Sequence, residues 1–159
     1  MSNERLLKQA KAKAAKYCAG RERAPYQVMQ KLLGWELDED DAQSILAELI
    51  QENYVNEARF VHAYCHDKFE FNKWGKNRIK QELNQLRIAG EAINEGLNNI
   101  DPQRYEDILQ SLASQKFRSL SNEPDNWKRK QKTTAYLIRK GFEMDLSIEI
   151  VNDLSDREH

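Results

Sequence analysis

The stretch HAYCH at 62–66 places His62 and His66 four residues apart, with Cys65 between them. On a helix that spacing puts both imidazoles on one face, where they could share a metal ion. The match to a metalloprotease fails, because Ala63 stands where HExxH carries its general base. No second His/Cys cluster supplies further ligands, so the segment reads as helix surface with one packed thiol. A second candidate is DEDD at 38–41, which could serve a metal-dependent nuclease. It precedes an apolar-periodic segment, so it reads instead as a loop and helix start, where the dipole favours carboxylates. The chain has neither GxxxxGK[ST] nor GxGxxG, hence no visible phosphate cradle, and its Ser and His residues form no triad-like pattern. No catalytic residue, metal site, cofactor or small-molecule substrate is expected, and the chain reads as a non-enzyme.

What remains as potential chemistry is cationic. Residues 73–83 read KWGKNRIKQEL, with Lys73, Lys76, Arg78 and Lys80, one Trp, one Gly and a single acid. A helix turns by roughly 100° per residue. If Ile79, Leu83 and Leu86 face inward, Lys76, Lys80 and Arg87 share one flank and Arg78 lies on the other. The same projection along 127–140 groups Trp127, Thr134, Leu137 and Ile138 inside, and leaves Arg129, Lys132, Tyr136 and Lys140 as an outer stripe. Long basic side chains can lie along apolar surface and present their charge outward. Such stripes are either ordinary solvated faces or a groove for phosphates or an acidic protein surface. Trp74 and Trp127 are expected to anchor the core rather than stack on bases.

The elements that must position these residues are helices. The chain has 159 residues, 40% hydrophobic and 32% charged, with three prolines and six glycines. That composition supports a folded core and argues against low-complexity linkers. No apolar run approaches the roughly 18–20 residues of a membrane span. The first residues contain no apolar stretch of signal-peptide length, so a cytoplasmic location is expected. Cys18 and Cys65 form no CxxC pair and read as free thiols in a reducing compartment. Net charge is −1, which disfavours a DNA-coating protein, yet the charge is segregated. Residues 1–35 carry eight cations and two acids, residues 36–57 eight acids and no cation, and residues 116–140 eight cations and two acids.

Hydrophobic spacing is helical throughout, and no alternating strand or hairpin turn is found. It predicts helices at 4–19, 25–34, 41–52, 57–71, 76–87, 91–98, 103–117, 125–140 and 146–154. Asp101-Pro102 marks one start, Asn56 and Asp145 are candidate caps, and Gly34 and Gly141 are candidate left-handed stops. VMQKL (28–32), IKQEL (79–83) and TTAYL (133–137) resemble one another. An apolar residue follows each (Trp35, Ile88, Phe142), then a capped helix bearing Ile45, Ile93 or Ile148. Val28 and Ile79 are 51 residues apart, Ile79 and Thr133 54. The expected fold is therefore all-α: three tandem three-helix repeats at 1–54, 55–102 and 103–159, stacked into an elongated, curved array.

An ordered set of short motifs then resembles the RecX family. It comprises Arg21-Glu22-Arg23, Lys31-Leu32, Leu49, Asn56 to Phe60, Gly75-Lys76-Asn77-Arg78-Ile79, Glu82-Leu83 and Tyr136 to Phe142. The resemblance runs from about residue 10 to 154 and implies three three-helix repeats. It also implies a cytosolic protein that binds the RecA recombinase filament on single-stranded DNA. Such proteins limit filament growth, ATP hydrolysis and strand exchange in recombination, repair and the SOS response. The first repeat departs from the family pattern, with Pro25, Tyr26 and Val28-Met29 where Ser and Glu-Leu are usual. The expected contacts are Lys76, Lys80 and Arg87 in the second repeat and Arg129, Lys132, Arg139 and Lys140 in the third. Arg21 and Arg23 are first-repeat contacts by the family match. The partners would be the filament's acidic surface, its single- or double-stranded DNA, or both. Two other readings are a stand-alone nucleic-acid-binding module and a helical scaffold for another protein.

Overall fold

The computed structural model describes residues 2–158. Among them are nine helices and no strand: α1 (Ser2–Ala19), α2 (Pro25–Gly34), α3 (Glu39–Gln51), α4 (Glu57–Glu70), α5 (Lys76–Gln85), α6 (Gly90–Asn98), α7 (Pro102–Ser119), α8 (Asn126–Arg139) and α9 (Met144–Arg157). None is long and apolar enough to cross a membrane. Local chemistry explains several ends. Asp101 accepts the Arg104 N–H at 2.8 Å, with Pro102 at the first helical position. Asn56 accepts the Arg59 N–H at 2.9 Å. In the acidic run, Asp38 caps α3 by accepting the Asp41 N–H at 2.8 Å, and Glu39, Asp40 and Asp41 fill its first turn. Each cap satisfies an amide that a helix start leaves without a partner.

The three-fold repeat is visible in the backbone. Glu36, Arg87 and Gly141 adopt positive φ of 65°, 59° and 102°. Each stands four residues after a buried leucine, Leu32, Leu83 or Leu137. Their amides bond the Leu33, Asn84 and Ile138 carbonyls at 3.1, 3.0 and 2.9 Å. In the second and third repeats the following amides, of Ile88 and Phe142, reach back to Leu83 and Leu137 at 3.2 and 3.1 Å. These are left-handed stops that satisfy the last carbonyls of a helix. They recur at 51 and 54 residues, the spacing of the three pentapeptides.

That register corrects four expectations. Gly34 is the last helical residue of α2, and the left-handed position falls on Glu36. Leu37, not Trp35, therefore corresponds to Ile88 and Phe142. In the third repeat, Ser147 is the buried counterpart of Ile93, while Ile148 is 43% exposed. Helix α9 starts before Asp145, with Glu143 in the cap position, and the Glu143 carboxylate binds Tyr105 instead of a helix amide.

The chain divides into two compact units. One comprises residues up to Tyr64 with Leu83–Gly96, the other Cys65–Glu82 with residues from Leu97 onward. In the first, Ala10, Ala14 and Cys18 of α1 form an inward stripe at helical spacing against Val28, Leu32, Ala42, Ile45 and Leu49. Those small side chains let α1 lie close on α2 and α3. Lys11 reaches Glu48 and Glu52 of α3 at 3.3 and 2.9 Å across the surface.

In the second unit, Tyr105, Leu109, Ala113 and Phe117 of α7 are buried together with Phe69, Leu137, Phe142 and Val151. Here the start of α5 meets the end of α8. Gly75 N–H donates to the Lys140 carbonyl at 2.8 Å and Asn77 N–H to the Gly141 carbonyl at 2.9 Å. Between them, Lys76 N–H donates to the Tyr105 hydroxyl at 3.0 Å. That hydroxyl donates in turn to Glu143, and the Tyr105 ring packs on Phe69 and Phe142 with centroids at 5.6 and 5.3 Å. No side chain fits at the crossing. A Cβ on Gly75 would lie 2.3 Å from the Gly141 carbonyl carbon, and one on Gly141 2.3 Å from Arg78 Cβ.

Two predictions follow from the crossing. Gly75→Ala and Gly141→Ala should each destabilise by roughly 3 kcal/mol or more, because backbone must move. Gly34→Ala, with open space around it, should be neutral or stabilise by up to about 1 kcal/mol. Urea unfolding of the three variants checks this. The Tyr105 hydroxyl is held far above its ordinary ionisation range by burial first, then by its bond to Glu143 and by that carboxylate's charge. A folded-state pKa raised above the unfolded value of 10.0 gives stability that is complete below that pH and lost as pH rises beyond it. Tyr105→Phe should cost about 1–3 kcal/mol at neutral pH. Its stability should also fall less than the parent's above pH ~10, as measured by urea midpoints across that range.

Candidate functional site

The acidic and His/Cys segments resolve into structural roles. Cys65 is buried, and burial pushes its thiol up to about 11, which keeps it protonated at neutral pH. His62 and His66 are exposed, with His66 Nδ1 at 3.2 Å from Asp67. Among the described residues no group of three or more His, Cys, Asp or Glu is placed to hold a metal.

The first-repeat cations divide by partner. Arg21 is exposed and has no ion pair or hydrogen bond among the described residues. Arg23 lies over the Tyr17 ring at 3.9 Å and donates Nε to the Tyr17 carbonyl at 3.3 Å, while Lys31 approaches the same ring at 5.2 Å. Arg87 belongs to this unit as well, with its guanidinium 4.7 Å from the Tyr26 ring of α2. It stands beyond the last residue of α5 at positive φ. The helical projection that grouped it with Lys76 and Lys80 does not extend to it.

Within α5, Lys76 and Lys80 are one turn apart. The Lys76 ammonium lies 5.0 Å from the Tyr105 ring centroid, and Lys80 is exposed and unpaired among the described residues. Arg78 sits over Trp74 at 4.1 Å, and Lys68 over the same ring at 5.0 Å. Trp74 is thus a half-buried platform for cations.

Helix α8 is rotated from the expected orientation. Its inward residues are Arg129, Thr133 and Leu137, whereas Trp127 is 66% exposed and Ile138 lies outside as well. Trp127 therefore does not anchor the core. Arg129 is 8% exposed and belongs to the packing, not to an outer stripe. Its guanidinium stacks on Phe117 at 3.6 Å, donates Nε to the Phe117 carbonyl at 2.9 Å and pairs with Glu158 at 2.6 Å. Thr133 returns its hydroxyl to the Arg129 carbonyl at 2.9 Å. With every polar group engaged, the inner face tolerates residues that a hydrophobicity count assigns to water.

The other third-repeat cations differ among themselves. Lys132 pairs with Glu123 at 2.8 Å, and Arg139 is exposed without a partner among the described residues. Lys140 is half-buried and donates to the Asn72 carbonyl at 2.8 Å. Its ammonium is held below the ordinary lysine range by burial first, then by the charges of Arg78 and Lys73. Sequence reading missed Lys73 and Trp74 as neighbours of Lys140. The left-handed turn at Lys73, φ 57°, brings them round, and nothing in a helical projection encodes it.

Comparison with known proteins places this arrangement. The family descriptions "RecX, first three-helix domain", "second three-helix domain" and "third three-helix domain" match residues 10–49, 56–97 and 104–151 in order. A regulatory protein RecX from Clostridium tetani is 28% identical over 91% of this chain and 66% of its own length. One from Clostridioides difficile is 29% identical over 97% and 71%. One from Mannheimia succiniciproducens is 31% identical over 77% and 78%. The chain thus spans from about two-thirds to about three-quarters of the length of these relatives. The crystal structure of RecX from Lactobacillus salivarius superposes with TM-score 0.85 at 19% identity, covering 97% of this chain and 98% of that one. Another, of a regulatory protein RecX, gives 0.80 at 24% identity, covering 93% and 74%. With three domains matched in sequence order and the same helical fold in solved relatives, the chain belongs to the RecX family of regulatory proteins.

Proposed function

We propose that this chain is a non-enzymatic, cytoplasmic regulator that binds the RecA nucleoprotein filament and restrains its growth, ATP hydrolysis and strand exchange. The observation that carries the reading is the ordered match of all three RecX domains along one chain. We propose repeat boundaries at 1–54, 55–102 and 103–159. Contact with the filament falls to cations that the fold leaves available. These are Arg21 in the first repeat, Lys80 in the second and Arg139 in the third, with Arg23, Lys76, Arg87, Lys132 and Lys140 contributing through their remaining donors. Arg129 is left out of the proposed contacts, because its guanidinium is buried and paired.

The test is the DNA-dependent ATPase of RecA with this protein added. The parent should lower the rate in proportion to its concentration. Charge reversal at Lys80 and Arg139 together should raise the concentration needed for half-inhibition by about tenfold or more, with a larger effect at low salt. Arg129→Ala should instead lose about 2 kcal/mol of stability while keeping its inhibition per folded molecule. An ATPase rate that stays flat across the titration would refute the reading.

A further inference from the structure

The crossing of α5 and α8 gathers Lys73, Arg78 and Lys140, none of which forms an ion pair among the described residues. Lys140 binds the Asn72 carbonyl, next in sequence to Lys73, and the charges of Lys73 and Arg78 both act on its ammonium. Arg78 is fixed there by the absence of a side chain on Gly141, whose Cβ would lie 2.3 Å from Arg78 Cβ. All three cations are half-buried, so water screens their repulsion less than on an open surface. Glu70, within reach of the Lys73 charge, is engaged by Arg104, whose Nε and terminal nitrogen lie 3.3 and 3.0 Å from its two carboxylate oxygens. Like charges held together on a rigid joint, in a chain of net charge −1, are a cost that an anionic ligand relieves.

We propose that Lys73, Arg78 and Lys140, braced by Trp74, form a binding site for a phosphate oxyanion. The donor supply fits. Lys73 donates to the Glu70 carbonyl and Lys140 to the Asn72 carbonyl, which leaves each ammonium two further hydrogens. Arg78 lies over Trp74, and stacking leaves the edge of a planar guanidinium open to a phosphate. The number of cations favours phosphate over a lone carboxylate, because three converging charges suit a multiply charged group or successive diesters. The phosphate has two possible sources, a free polyphosphate or the backbone of a nucleic-acid strand. The site stands on its own geometry and does not depend on the filament reading.

The experiment uses the full chain with Trp35→Phe and Trp127→Phe, so that emission reports Trp74. Pyrophosphate, a labelled oligothymidylate and polyglutamate are titrated separately at several salt concentrations. Pyrophosphate should shift Trp74 emission where chloride at equal ionic strength does not. Arg78→Gln and Lys73→Gln, singly and together, should weaken binding, with melting curves confirming that each variant folds. If the source is a strand, the double variant should bind oligothymidylate with a log K versus log salt slope shallower by about 1.4, at ~0.7 per lost phosphate contact. If the source is a free polyphosphate, pyrophosphate alone binds in a manner sensitive to these residues. Binding that is unchanged in the folded double variant overturns the site. So does the absence of any response to pyrophosphate and oligothymidylate, or polyglutamate binding as tightly as either.

Discussion

The second unit depends on one contact, the crossing of two helix ends at Gly75 and Gly141. A helix start has amides without partners and a helix end has carbonyls without partners. Here the leftover donors of α5 meet the leftover acceptors of α8, at 2.8 and 2.9 Å. The remaining amide, of Lys76, takes the Tyr105 hydroxyl. Because two backbones touch, both crossing residues must lack a Cβ, and one must accept positive φ. Tyr105 is fixed by the amide on one side and Glu143 on the other, which in turn removes Glu143 from capping α9. The motifs Gly75-Lys76-Asn77-Arg78 and Arg139-Lys140-Gly141-Phe142, which carried much of the family resemblance, are the two halves of this joint. Their specificity as a signature is mainly a structural requirement.

The helices were legible because their causes are local. Apolar spacing, Asp101-Pro102, Asn56 and the acidic start of α3 each act within a turn or so of chain. The repeat was legible because every unit needs the same buried leucine before its stop. What escaped depended on partners distant in sequence. Gly34 looked like a stop, but α2 ends two residues before its left-handed position and Glu36 takes it. Glycine is preferred there without being required where nothing approaches the backbone. Gly141 is required because Arg78 and Gly75 press against it. Only the tertiary contact separates the two cases. The rotation of α8 has the same origin, since a buried arginine is tolerable only where Phe117 and Glu158 supply its partners.

The candidate site was legible residue by residue but not as a surface. Nearly all the cations singled out in the sequence are at or near the surface, yet several already have internal roles. Arg23 and Arg87 lie over tyrosines, Lys132 pairs with Glu123 and Lys140 closes onto Asn72. A helical projection sorts side chains by direction only within a helix, so it overreached at Arg87, two residues past the end of α5. It also set Arg78 aside as the opposite flank, although that flank faces the end of α8.

These internal roles bear on how a chain of net charge −1 can still attract anions. Summed charge says little when acids and bases are segregated and many cations are held within the fold. A solvated lysine paired with a surface glutamate contributes little to a partner's binding, because one attraction is exchanged for another. A cation held half-buried beside other cations differs, since its repulsion exists before any ligand arrives and is released on binding. The crossing of α5 and α8 produces such a place as a by-product of close backbone approach. The glycines that permit the approach bring Arg78 to Lys140, and the turn at Lys73 completes the set. A joint required for folding therefore concentrates charge at a fixed position, where a flexible surface would disperse it.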